Sequence, residues 1–152
     1  MELVLIMAVM AILATIVLVI NFGLKNRQEL ESSVNSLAAV IRDAQQKSII
    51  QEEMGKWGVF LENDTNIPKS NYASIKNNKG NIVAKYLLPS FLEFDPSNLN
   101  ALGGGRYERE VIFAPVDGVP EDGGNVIIKI RFINDVATAR QIAISSNGTV
   151  SY

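Results

Sequence analysis

Few side chains in this sequence are equipped for catalysis. It contains no histidine and no cysteine, which removes imidazole bases, thiolate nucleophiles, disulfides and the usual zinc ligands together. No serine sits in a G-x-S-x-G turn, and no phosphate-binding P-loop is present. Gly103-Gly104-Gly105 reads as a flexible loop, because no helical pattern follows it to complete a phosphate cradle. Asp117, Glu121 and Asp122 supply the hard oxygens that calcium prefers. Their spacing is not that of an EF-hand, so they are read as an acidic turn and no metal or cofactor is assigned. Asn63 and Asn147 head N-x-T triplets, which carry meaning only in a secreted eukaryotic protein.

Two further groups of charged residues bear on binding. Lys76, Lys79 and Lys85 are the best candidates for contacts to a nucleic-acid backbone. They are scattered, and the net charge of −2 lacks the basic excess of a general nucleic-acid binder; a solvated surface is the preferred reading. Glu2 is different. It is a carboxylate at the edge of an apolar run, where it needs a partner or access to an interface. The positive end of a helix dipole also favours it there.

The elements that would position these residues divide the chain in three. Residues 1–24 contain the run from Leu3 to Ile20, LVLIMAVMAILATIVLVI, in which Thr15 is the one polar side chain. As a helix it covers about 27 Å, close to the hydrocarbon core of a bilayer. It is longer than a signal-peptide core, lacks a preceding basic residue and has no small-x-small cleavage site, so a retained membrane helix is expected. Residues 25–54 continue as an amphipathic helix. Leu30, Val34, Leu37, Ile41, Ala44 and Ser48 alternate at steps of four and three and fall on one face, and Gly55 is the expected stop. That face should pack on a sheet.

Residues 55–152 form a β-rich head. WGVFLE, IVAKYLL, FLEF, EVIFAP, NVIIKIRFI and RQIAIS are short runs of β-branched and aromatic residues separated by turn chemistry. Asn147-Gly148 predicts a type I′ hairpin into TVSY. Val126, Ile128, Ile130 and Phe132 alternate with more polar positions, so their face is expected on the helix. The expected class is α+β, a long N-terminal helix packed on an antiparallel sheet.

A long half-apolar helix followed by a sheet resembles the type IV pilins and their secretion-system relatives, the pseudopilins. The family's processed and methylated N-terminus runs F-T-L-x-E-L into an apolar stretch. Met1-Glu2-Leu3 matches its last three positions and puts Glu2 at the family's glutamate. This register implies a chain that begins three residues inside the mature protein, with a leader peptide upstream. SLAAVIRDAQQKSIIQ before WGVFLE, then VIFAPVDGVP and RQIAISSNGTV, narrow the resemblance to minor pilins of the GspH and FimT type over nearly the whole length.

The resemblance implies a structural subunit of an envelope filament in type II protein secretion or pilus assembly, and not an enzyme. Its partners would be other pilin or pseudopilin subunits, the prepilin peptidase, the inner-membrane assembly platform and membrane lipid. It further implies a single-pass protein of the bacterial inner membrane with its head outside the cytoplasm, where Glu2 neutralises a neighbouring subunit's N-terminal amine. Lys25 and Arg27 after the run would by the positive-inside rule place the head inside; the family's basic leader resolves that conflict. The alternative function is a DNA-binding minor pilin for DNA uptake. The basic C-terminal turn of DNA-binding members is replaced here by Gly148–Tyr152, GTVSY, so DNA is not expected as a partner. Many pilins also carry a proline where Val19 stands, which leaves Asn21 and Gly23 to permit any bend.

Overall fold

The computed structural model describes residues 2–52, 55–64, 71–77 and 79–152, with the side chains of 2–5, 16–23 and 136 also outside the description. A long α-helix, α1, spans Glu2–Ile49, about 72 Å at the standard rise. It carries no proline, and helix continues through Asn21 and Gly23. Lys47 in its last turn suits the negative end of the dipole.

The helix stops six residues before Gly55. Gln51 takes φ 53°, while its N–H reaches the Ser48 carbonyl at 3.1 Å and the Ile50 N–H reaches Gln46 at 3.0 Å. A non-glycine residue thus supplies the left-handed turn that usually falls to glycine. Ser48 helps close this end, donating its hydroxyl to the buried Phe113 carbonyl at 2.7 Å.

Among the described residues nine strands follow: β1 Trp57–Asp64, β2 Tyr72–Asn77, β3 Ile82–Leu87, β4 Leu92–Phe94, β5 Asn100–Gly103, β6 Arg106–Phe113, β7 Val126–Phe132, β8 Asp135–Ile144 and β9 Val150–Ser151. They form two antiparallel sheets, in the orders β3-β2-β1-β6-β5 and β4-β7-β8-β9. The fold is α+β, one long helix on an antiparallel head. The strands divide between two sheets because β4 pairs across the molecule with β7, and Asn63 of β1 joins the sheets. Its side-chain amide donates to the Phe94 carbonyl at 2.5 Å while its oxygen accepts from the Phe94 N–H at 3.1 Å.

The core lies between α1 and both sheets. The helix packs chiefly on β1, whose inward residues Trp57, Val59 and Leu61 are fully buried. Val126, Ile128 and Ile130 of β7 are buried against the same core. Phe132, on the same alternation, lies at its margin, stacked on Phe91 with ring centroids 6.0 Å apart.

The β8–β9 hairpin is closed differently from the expected type I′ turn. Gly148 has φ 83° while Asn147 is not in the positive-φ region. The Gly148 N–H bonds the Ser145 carbonyl at 2.8 Å and the Ser145 N–H bonds Thr149 at 2.9 Å. These are the marks of a three-residue loop, a type I turn followed by a left-handed glycine.

Candidate assembly surface

The helix surface separates sharply into two parts. Leu30, Val34, Leu37, Ile41 and Ala44 are buried, the last three with no exposed surface. Ala38 and Ser33 are buried beside them, which makes the covered stripe wider than the three-four spacing indicates. N-terminal to it the pattern reverses. Ile6, Met7, Met10 and Ile12 are each at least 60% exposed, and Val9 and Leu13 about half, so the head covers none of them.

Large apolar side chains left in water are costly. Covering one is worth about 1.5–3 kcal/mol, so six together represent on the order of 10 kcal/mol of unrealised burial. Such a contiguous surface marks a site of protein or membrane contact. Among the described residues, no helix is long and apolar enough to cross a membrane. The side chains at both ends of the Leu3–Ile20 run, and that of Glu2, lie outside the described residues.

Beside Ser48, the α1 residues Gln45, Arg42 and Glu31 make polar contacts to the head. The Gln45 amide donates to the Gly118 carbonyl at 2.7 Å and to the Gly148 carbonyl at 2.8 Å. Arg42 donates to the Val150 carbonyl at 3.3 Å and lies 5.3 Å from the Tyr152 ring. Arg140 of β8 pairs with Glu31 at 3.4 Å. Gln45 carried no sequence signal, because its partners are backbone carbonyls of two distant loops.

The other charged residues are spread over the head. Lys76 and Lys85 each lie 3.5 Å from an aromatic ring centroid, Phe60 and Tyr72 respectively. The register sets Phe60 opposite both Ser74 and Glu110, and Glu62 opposite Glu108. The lysines therefore share their sheet face with carboxylates and form no basic patch. Lys79 lies in the β2–β3 turn, where the Asn77 side chain accepts its N–H at 3.0 Å. On that face the Tyr72 hydroxyl donates to Glu62 at 2.6 Å, and Arg106 donates to the other Glu62 oxygen at 3.0 Å. Burial and that hydrogen bond push the Tyr72 phenol up to about 12.

Glu121 pairs with Lys56, and the Asp117 carboxylate accepts from the Val119 N–H at 3.4 Å. Among the described residues, no three of His, Cys, Asp or Glu group as metal ligands. Gly103, Gly104 and Gly105 all have positive φ and turn the tight β5–β6 hairpin. Asn63 is 1% exposed with its amide engaged as described above, while Asn147 is exposed in its hairpin loop.

The fold is similar to that of solved structures. The crystal structure of the type IV minor pilin FimU from Pseudomonas aeruginosa strain PAO1 aligns with a TM-score of 0.57 and 17% identity, covering 83% of this chain and 89% of that one. The fold is type IV pilin-like. A second crystal form of FimU agrees, with a TM-score of 0.54, 15% identity, and 80% and 90% coverage. No family model matches the sequence, and no curated protein matches it. At these identities it is the pilin fold that is shared. The stripe Leu30, Val34, Leu37, Ile41 and Ala44 is buried in the core, and the exposed side chains from Ile6 to Leu13 lie N-terminal to it.

Proposed function

We propose that this chain is a minor structural subunit of a type IV pilus-like filament, in pilus assembly or protein secretion. The observation that carries this reading is the uncovered apolar stretch of α1 from Ile6 to Leu13, N-terminal to a folded head of pilin architecture. Residues 1–24 serve first as anchor in the bacterial inner membrane and then as a packing element among the helices of other subunits. Residues 25–54 join this element to the head formed by 55–152, which faces away from the cytoplasm. The prepilin peptidase and the inner-membrane assembly platform are its partners before incorporation.

In this reading Glu2 neutralises the N-terminal amine of an adjacent subunit within the apolar filament core. A carboxylate left there without its partner costs about 3–5 kcal/mol. The Glu2→Ala chain, made in cells carrying the filament system, should keep a folded head and be lost from sheared filaments. Incorporation at the native level would refute the role. The exposed apolar surface calls for cover by helices or lipid and supplies no chemistry, which supports a structural role over an enzymatic one.

A further inference from the structure

We propose that the cavity between α1 and the β7–β8 turn binds the headgroup of a membrane phospholipid that carries both a phosphodiester and a primary ammonium. This inference rests on the reading of residues 1–24 as a membrane anchor. The cavity measures about 310 Å³, within the range of small-molecule sites, and its walls hold opposite charges. The Arg27 guanidinium lies on the α1 side and the Asp135 carboxylate on the strand side. Arg27 makes no hydrogen bond or close ion pair among the described residues, and Asp135 acts on it only through space. Glu31, one turn further along α1, is engaged by Arg140.

The strand side is built by an irregularity. The β7–β8 register passes from Phe132–Asp135 to Arg131–Ala139, which leaves residues 136–138 without a β7 partner. A bulge of this kind re-aims the side chains around it. Here it turns Ala137 and Thr138 back on Asp135, whose carboxylate accepts from the Thr138 hydroxyl at 2.6 Å and the Ala137 N–H at 3.1 Å. The Thr138 bond above all, and then the Ala137 bond, hold the carboxyl below its usual range and keep it ionised. Each wall charge has a counterpart in the headgroup: the guanidinium takes the phosphate oxygens, and the carboxylate takes the ammonium. Asn26 and Asn134 place amide groups beside them, and the stacked Phe91 and Phe132 rings supply an apolar wall.

The height of the cavity favours a lipid over a soluble ligand. Arg27 follows Ile20, the last residue of the apolar run, by about 10 Å of helix. The headgroup layer reaches roughly 5–8 Å beyond the hydrocarbon core, and an arginine leaning towards the helix N-terminus returns its charge to that layer. Ile133, between two lining residues of the cavity, is 43% exposed, and lipid would cover it.

With the full chain delipidated in detergent, native mass spectrometry counts the lipid it rebinds. Phosphatidylethanolamine, phosphatidylglycerol and phosphatidylcholine with the same acyl chains are the probes, and soluble glycerophosphoethanolamine is the headgroup alone. Phosphatidylethanolamine should be retained about tenfold better than the other two lipids, the worth of one charge-assisted hydrogen bond. Arg27→Gln and Asp135→Asn should each abolish that preference. Lys25→Gln, at a side chain 72% exposed, should keep it, and Trp57 fluorescence verifies folding. Equal retention of the three lipids would overturn the proposal, as would a preference that survives both substitutions. It would also fall if phosphatidylglycerol were preferred, which would indicate a plain phosphate site. Glycerophosphoethanolamine bound as tightly as the lipid would replace the lipid with a soluble ligand and overturn it too. A chain recovered in the soluble fraction of cells would refute the anchor, whereas a membrane-bound chain without lipid preference would refute this site alone.

Discussion

Replacing Leu37 with alanine removes a side chain with no exposed surface from the centre of the stripe that binds α1 to the head. The lost transfer energy and the cavity left in a packed interior together cost about 3 kcal/mol, within the roughly 2–5 kcal/mol range for such truncations. That is about a 100-fold change in the folding equilibrium. Leu24→Ala, on the same helix but more than half exposed, should change stability by less than about 0.5 kcal/mol. Denaturant titration of the full chain in detergent measures both. Trp57 is a suitable reporter, being the sole tryptophan, fully buried, and bonded through its indole N–H to the Glu52 carbonyl at 2.8 Å. If Leu37→Ala cost no more than Leu24→Ala, the helix would not be held to the head by this face.

Other outcomes follow from the same geometry. Gln45→Ala should cost about 1–2 kcal/mol in the same titration, because two loop carbonyls lose their donor. Gly148→Ala should be destabilising by a similar amount or more, since the added methyl meets the Gln45 amide at 2.8 Å at a φ of 83°. Tyr72 should titrate near 12 in an ultraviolet absorbance titration. Its raised value means that folding favours the neutral phenol. The stabilisation is therefore complete below the unfolded value of about 10 and is lost as pH climbs towards about 12. Glu62→Gln should lower that titration point; an unchanged one would contradict the Tyr72–Glu62 bond as a cause.

The helix and the burial of Leu30, Val34, Leu37, Ile41 and Ala44 were legible because these positions share one helical period, whereas Ser33 and Ala38 are buried outside it. The helix stop was not, since glycine chemistry points to Gly55 whereas the turn is made by Gln51. β2 escaped notice because YASIKN mixes alanine, serine, lysine and asparagine, and its place between β1 and β3 makes it a strand. β5, Asn100–Gly103, has the composition of a loop and is recruited by pairing with β6. The Asn147-Gly148 pair signalled a hairpin correctly, but the loop takes in Ser146, leaving glycine alone in the left-handed position.

The central proposal is that the exposed apolar stretch of α1 from Ile6 to Leu13 is covered by other subunits in an assembled filament. Met10 lies in the middle of that surface, and Met10→Cys in a chain without native cysteine allows its cover to be measured. In sheared filaments freed of membrane, Met10→Cys should resist a water-soluble maleimide that labels Leu102→Cys on the head. Equal labelling of the two positions, or absence of the chain from the filaments, would contradict the account.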